Sequence, residues 1–80
     1  MHYQYIKDRY GAIFYPGDRV EHSVTKNWGT VLQPDRGRLH YVNVSFGPDG
    51  IGLCHPTELK IIARGKAWEN AQADEIDVGK

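Results

Sequence analysis

Four histidines (His2, His22, His40, His55), one cysteine (Cys54), two serines (Ser23, Ser45) and ten carboxylates are the residues of this 80-residue chain that could do chemistry. Imidazole and thiolate together suit zinc, but zinc ligands usually come as close pairs of the CxxC or HxxxH kind. Only Cys54 and His55 are neighbours, and a strand sends successive side chains to opposite faces. No metal site and no cofactor is therefore expected. The same alternation separates Cys54 from His55 as nucleophile and base, so a buried, inert thiol is the expectation there. Neither serine sits in a nucleophile elbow. No Gly-rich phosphate cradle precedes a helix, and no carboxylate pair has a setting that would split two pKa values. The chain does not read as an enzyme.

A binding surface remains. Tyr15, Trp28 and Tyr41 are candidates by position, flanked by the cations Lys26, Arg36 and Arg38. Aromatic rings beside cations can stack on a base, hold a charged group or receive a proline-rich peptide. These six are the expected contacts.

Short strands must position them. Pro16-Gly17-Asp18 is a turn in which Pro presets φ and Gly accepts a positive one. A strand over Arg19–Val24 places Val20, His22 and Val24 on one face. Trp28-Gly29 leads into a second strand, Thr30–Gln33, and the polar run Pro34–Arg38 is a loop. Leu39–Phe46 alternates, with Val42, Val44 and Phe46 on the core face. A hairpin at Gly47–Gly50, a strand Ile51–His55, a tight turn at Pro56–Glu58 and a closing strand Leu59–Ile62 follow. Five short strands so spaced fit a small SH3-like barrel better than a sandwich. The expected fold is thus all-β: residues 16–64 as the barrel, residues 1–15 as an aromatic arm that is a short helix or irregular up to Tyr10, since Tyr3, Ile6 and Tyr10 fall at helical spacing while Tyr3 and Tyr5 alternate as a strand would, and residues 65–80 as a short helix or a disordered acidic tail. In that tail Trp68, Gln72 and Ile76 share a helical stripe.

Ten Lys/Arg balance ten Asp/Glu, which is not the charge footprint of a nonspecific nucleic-acid binder. The distribution is uneven: nine cations against six acids over residues 1–66 leave +3, and one lysine against four acids over 67–80 leaves −3. A single thiol and no leader pattern point to a reducing, cytoplasmic setting, and no apolar run reaches membrane-spanning length. A core this small invites support from the arm, from Trp68 or from a second copy of the chain.

The string GDRVEH, then WGTV, YVNVSF and TELKII resembles the Tudor-like SH3 barrel at the C-terminus of UvrD/PcrA-type helicases, and small bacterial domains with a V-x-H, W-G-x-G-x-V, V-x-F pattern. Val20, His22, Trp28, Gly29, Val31, Val44 and Phe46 are the matching positions; Thr30-Val31 stand where the pattern has its second glycine. The resemblance implies a non-enzymatic docking module for a protein partner such as RNA polymerase, or for nucleic acid, in transcription, repair or phage-host processes. The chain is also similar to the plasmid-borne type II dihydrofolate reductase, a tetrameric pore enzyme. Its Val-Gln-Ile-Tyr pore motif is replaced here by Gly52-Leu53-Cys54-His55, so the residues that bind folate and cofactor are missing.

Overall fold

Tyr3, Ile6 and Tyr10 recur at helical spacing, and the chain obeys that period. The computed structural model describes residues 3–71 and opens with α1, Gln4–Tyr10, whose Ile6 is fully buried. Gly11 ends the helix in the left-handed region at φ 73°, with its N–H donating to Lys7 O at 2.9 Å, the usual solution for a carbonyl left over at a helix end.

Five strands follow: β1 (Arg19–His22), β2 (Trp28–Val31), β3 (Val42–Ser45), β4 (Ile51–Cys54) and β5 (Leu59–Ala63). All neighbours are antiparallel, in the order β4-β3-β2-β1-β5: four strands meander and the fifth returns beside β1. Single 3-10 turns at Gly47–Asp49 and Pro56–Glu58 connect the last strands, and residues 66–71 are helical. The architecture is a small antiparallel sheet with a short helix packed on it. Among the described residues no helix is long and apolar enough to cross a membrane. The expected acidic tail, with Gln72 and Ile76, lies mostly outside the described residues.

The core is drawn from every part of the chain. Tyr3 and Ile6 from the helical segment, Phe14, Val20 on β1, Val31 on β2, Val42 and Val44 on β3, and Cys54 on β4 form one buried cluster. Phe46, Leu59 and Ile61 pack against it, as their strand parity predicts.

Strand limits differ from the sequence reading by more than one residue in three strands, each with a local cause. β1 stops at His22 because the imidazole Nδ1 accepts the N–H groups of Val24 and Thr25 at 3.2 and 3.3 Å, bending the chain into a turn. Lys26 closes that turn at φ 64°, so Val24 is 73% exposed rather than facing the core. β2 begins earlier, at Trp28, which pairs with Glu21. It ends at Val31, beyond which the Tyr3 hydroxyl takes the Leu32 carbonyl at 2.7 Å and the Asn43 N–H at 3.1 Å. β3 starts only at Val42, since Tyr41 N–H donates to Arg38 O and keeps residues 38–41 in a turn.

One buried charge ties the entry to β1 to the exit from β5. Asp18 is fully buried, yet its carboxylate has a complete set of partners. Oδ2 accepts from Arg64 Nη1 at 2.9 Å and from Tyr15 N–H at 3.0 Å, while Oδ1 accepts from Gly65 N–H at 2.9 Å. Arg64 also donates to Ile13 O at 3.0 Å and lies 5.3 Å from the Trp68 ring centroid. The Pro16–Asp18 turn is thereby clamped to the segment leaving β5.

Candidate functional site

The loop that the sequence marks as polar and turn-rich is shaped by its own side chain. Asp35 Oδ1 accepts Gly37 N–H at 2.9 Å and Asp35 O accepts Arg38 N–H at 3.0 Å, an Asx-type turn that holds Arg36 and Arg38 outward. Against it stands α1. Between the two lies an open groove of about 530 Å³, walled by Tyr3 and Tyr5 on one side and by Pro34, Arg36, Leu39 and Tyr41 on the other. Arg38 and Asp35 also line it.

Exposed apolar side chains line this groove. Tyr5, Leu39 and Tyr41 are 38%, 48% and 42% exposed. Among the described residues, neither Arg36 nor Arg38 has an ion-pair partner, so two guanidiniums stand available beside apolar walls. Arginine suits such a place because its planar, weakly hydrated head meets carboxylates two hydrogen bonds at a time.

Beside the groove the structure assembles an aromatic cluster that sequence reading did not find. His40 stands between two tyrosines, with Tyr5 Oη 3.3 Å from Nε2 and Tyr10 Oη 3.3 Å from Nδ1. A neutral imidazole donates to one hydroxyl and accepts from the other. Tyr5 meets the His40 ring edge-on at 4.9 Å, and Tyr10 and Tyr41 meet His55 edge-on at 5.0 and 6.3 Å. The helical spacing of Tyr3, Ile6 and Tyr10 was the available signal for Tyr10 alone among these residues. Nothing in the order of residues tells that His40 and His55 arrive from the opposite side.

The six contacts expected from sequence do not share one surface. Arg36, Arg38 and Tyr41 line the groove. Trp28, 64% exposed, opens a separate shallow depression of about 290 Å³ with Arg19, Ile62 and Ala63. Lys26 sits in the β1–β2 turn. Tyr15 is half-buried, and its N–H is spent on Asp18.

Groups able to hold a metal or act as nucleophile are scattered: among the described residues no three of His, Cys, Asp and Glu converge. His22 Nε2 lies 3.7 Å from Glu58, but its Nδ1 is occupied by the turn it caps. His55 Nδ1 accepts Thr57 N–H and caps the 3-10 turn at Pro56–Glu58. Cys54 is buried, and burial, helped by the nearby Glu58 carboxylate, pushes its thiol above the ordinary 9.0. That is opposite to the shift an attacking thiolate needs.

Tyr3 is displaced in the same direction. Burial raises its hydroxyl above 10.0, opposed by the Asn43 N–H that it accepts and reinforced by Asp35. Both groups therefore hold their protons more tightly folded than unfolded. Their contribution to stability is complete below about pH 9 and is lost as pH rises through the folded values. Thermal unfolding followed from pH 7 to 11 should show an alkaline fall that is shallower in the Tyr3→Phe, Cys54→Val double variant. Equal slopes in variant and parent would refute the assignment.

No family model, curated protein or solved structure matches this chain.

Proposed function

We propose that this chain is a non-enzymatic binding module on an SH3-like barrel, docking an acidic protein segment in the groove between α1 and the Pro34–Tyr41 loop. The observation that carries the reading is the pairing of exposed tyrosines with Arg36 and Arg38 around one groove of about 530 Å³. Apolar walls supply contact area and the two guanidiniums select carboxylates. Support for the barrel comes from the strand order, with β5 returning beside β1, and from the register shift where Arg19 faces Ala63 and Val20 faces Ile61. Ile62 is then an extra residue, a bulge of the kind that curves sheets toward closure.

The resemblance to helicase C-terminal barrels makes the nucleic-acid-processing machinery, RNA polymerase included, the class in which to seek the partner, and a reducing cytoplasm its setting. Single-stranded nucleic acid is the competing ligand, since tyrosines also stack on bases.

Nuclear magnetic resonance titrations with a Glu/Asp-rich peptide, a Lys-rich peptide and oligo(dT) separate these outcomes. Shifts at Tyr5, Arg36, Arg38 and Tyr41 with the acidic peptide are expected, with affinity lost about 10-fold or more in Arg36→Glu/Arg38→Glu. Tighter binding of oligo(dT) would replace the protein ligand by nucleic acid. With two cations engaged, its slope of log affinity against log salt would be about −1.4. Shifts confined to Trp28, Arg19 and Ile62 would move the site to the other depression.

A further inference from the structure

Strand β4 is one outer strand of the sheet, and its sequence Ile51-Gly52-Leu53-Cys54 carries no charge and no proline. Those are the devices by which edge strands usually prevent pairing with another chain. The other outer strand is protected by a charge at Lys60 and by the bulge at Ile62.

Which groups β4 offers follows from its ladder with β3. Phe46 N–H donates to Gly50 O at 2.8 Å, and β4 pairs Ser45 with Ile51, Val44 with Gly52, Asn43 with Leu53 and Val42 with Cys54. Hydrogen-bonded and non-bonded pairs alternate along an antiparallel ladder. Gly52 and Cys54 therefore bond to β3, while the N–H and C=O of Ile51 and Leu53 face outward. The Asn43 carbonyl agrees with this phase, because it accepts Leu32 N–H from the other side. The Ile51 and Leu53 side chains stand on the outer face, 69% and 36% exposed.

We infer that β4 is a self-pairing edge: two copies of this chain join antiparallel about a two-fold axis through Gly52, continuing one sheet into the next. In that register Ile51 of each copy pairs with Leu53 of the other, forming four main-chain hydrogen bonds and one patch of four apolar side chains. The same register sets Asp49 of one copy toward His55 of the other at both ends of the contact, opposing an acid to an imidazole. A net charge of zero leaves no long-range repulsion between copies. Two strands bury far less area than an obligate dimer, so the association is weak, with a dissociation constant of roughly 10–100 µM. This inference is independent of the groove and of what binds there.

Sedimentation equilibrium from 5 µM to 1 mM tests it on the intact chain. A mass rising from one chain toward two is expected, and Ile51→Lys or Leu53→Lys, both exposed and harmless to the core, should hold the protein monomeric. Amide exchange on the unmutated chain gives a second readout: Ile51 and Leu53 should exchange about 10-fold more slowly at 1 mM than at 5 µM. A strict monomer at 1 mM, a dimer that survives both lysine variants, or exchange at these two amides that ignores concentration would each overturn the proposal.

Discussion

Asp18→Ala is expected to lower the midpoint of thermal unfolding by about 12–24 °C, the equivalent of roughly 3 kcal/mol in a domain of this size. The substitution removes the carboxylate that accepts from Tyr15 N–H, Gly65 N–H and the Arg64 guanidinium, to which the Ile13 carbonyl remains. Truncating one partner of a buried ion pair costs about 3–5 kcal/mol because the other is stranded, far more than the net worth of the intact pair. Arg64→Ala strands Asp18 instead and should cost a similar amount, although Arg64 keeps 28% of its side chain in solvent and part of that loss is screened. The double variant should be less destabilised than the sum of the two singles, since the second removal strands nothing further. Calorimetry of the four proteins measures the coupling. An Asp18→Ala shift under about 3 °C, or strict additivity, would show that the clamp holds nothing.

Gly29→Ala should be equally severe, and Gly52→Ala nearly silent. A β-carbon on Gly29 would sit 2.5 Å from Val44 Cγ1, 2.8 Å from Ser45 O and 3.0 Å from Phe46 Cδ1. Val44 is fully buried and Ser45 O is main chain, so neither can retreat, and overpacking of this kind costs about 1–3 kcal/mol or more. At Gly52 the nearest atom is Phe46 Cε2 at 3.5 Å, ordinary contact, and alanine there should change stability by less than about 0.5 kcal/mol. Both glycines lie in strands and look alike in the sequence. Denaturant midpoints of the two variants decide the matter: similar losses would mean that the close approach of β2 to β3 is not what demands glycine.

Much of the candidate site was legible residue by residue but not as a surface. The Pro34–Arg38 loop and its two exposed arginines follow from turn chemistry, while Tyr41, expected at the outer parity of a strand from Leu39, stands instead in the turn before β3; all three side chains line the groove. The opposite wall was missed, because Tyr3 and Tyr5 belong to a segment whose period is ambiguous over so few residues. Trp28 was read with the arginines since both flank β2. The strand carries its two ends apart, and Trp28, which pairs with Glu21, instead shares a depression with Arg19 and with Ile62 at the bulge of β5.

The sequence by itself determined the number of strands, their order along the chain and the inward parity of Val20, Val42, Val44, Leu59 and Ile61, because alternation of apolar residues and Gly/Pro punctuation are local signals that need no partner. Only the tertiary structure decided that the N-terminal helix completes both the core and the groove, that His40 stands between Tyr5 and Tyr10, and that Asp18 is satisfied by Arg64. Those contacts join residues separated by 30 to 46 positions. Such contacts are set by the packing of the whole chain rather than by any stretch of it, so no local pattern announces them.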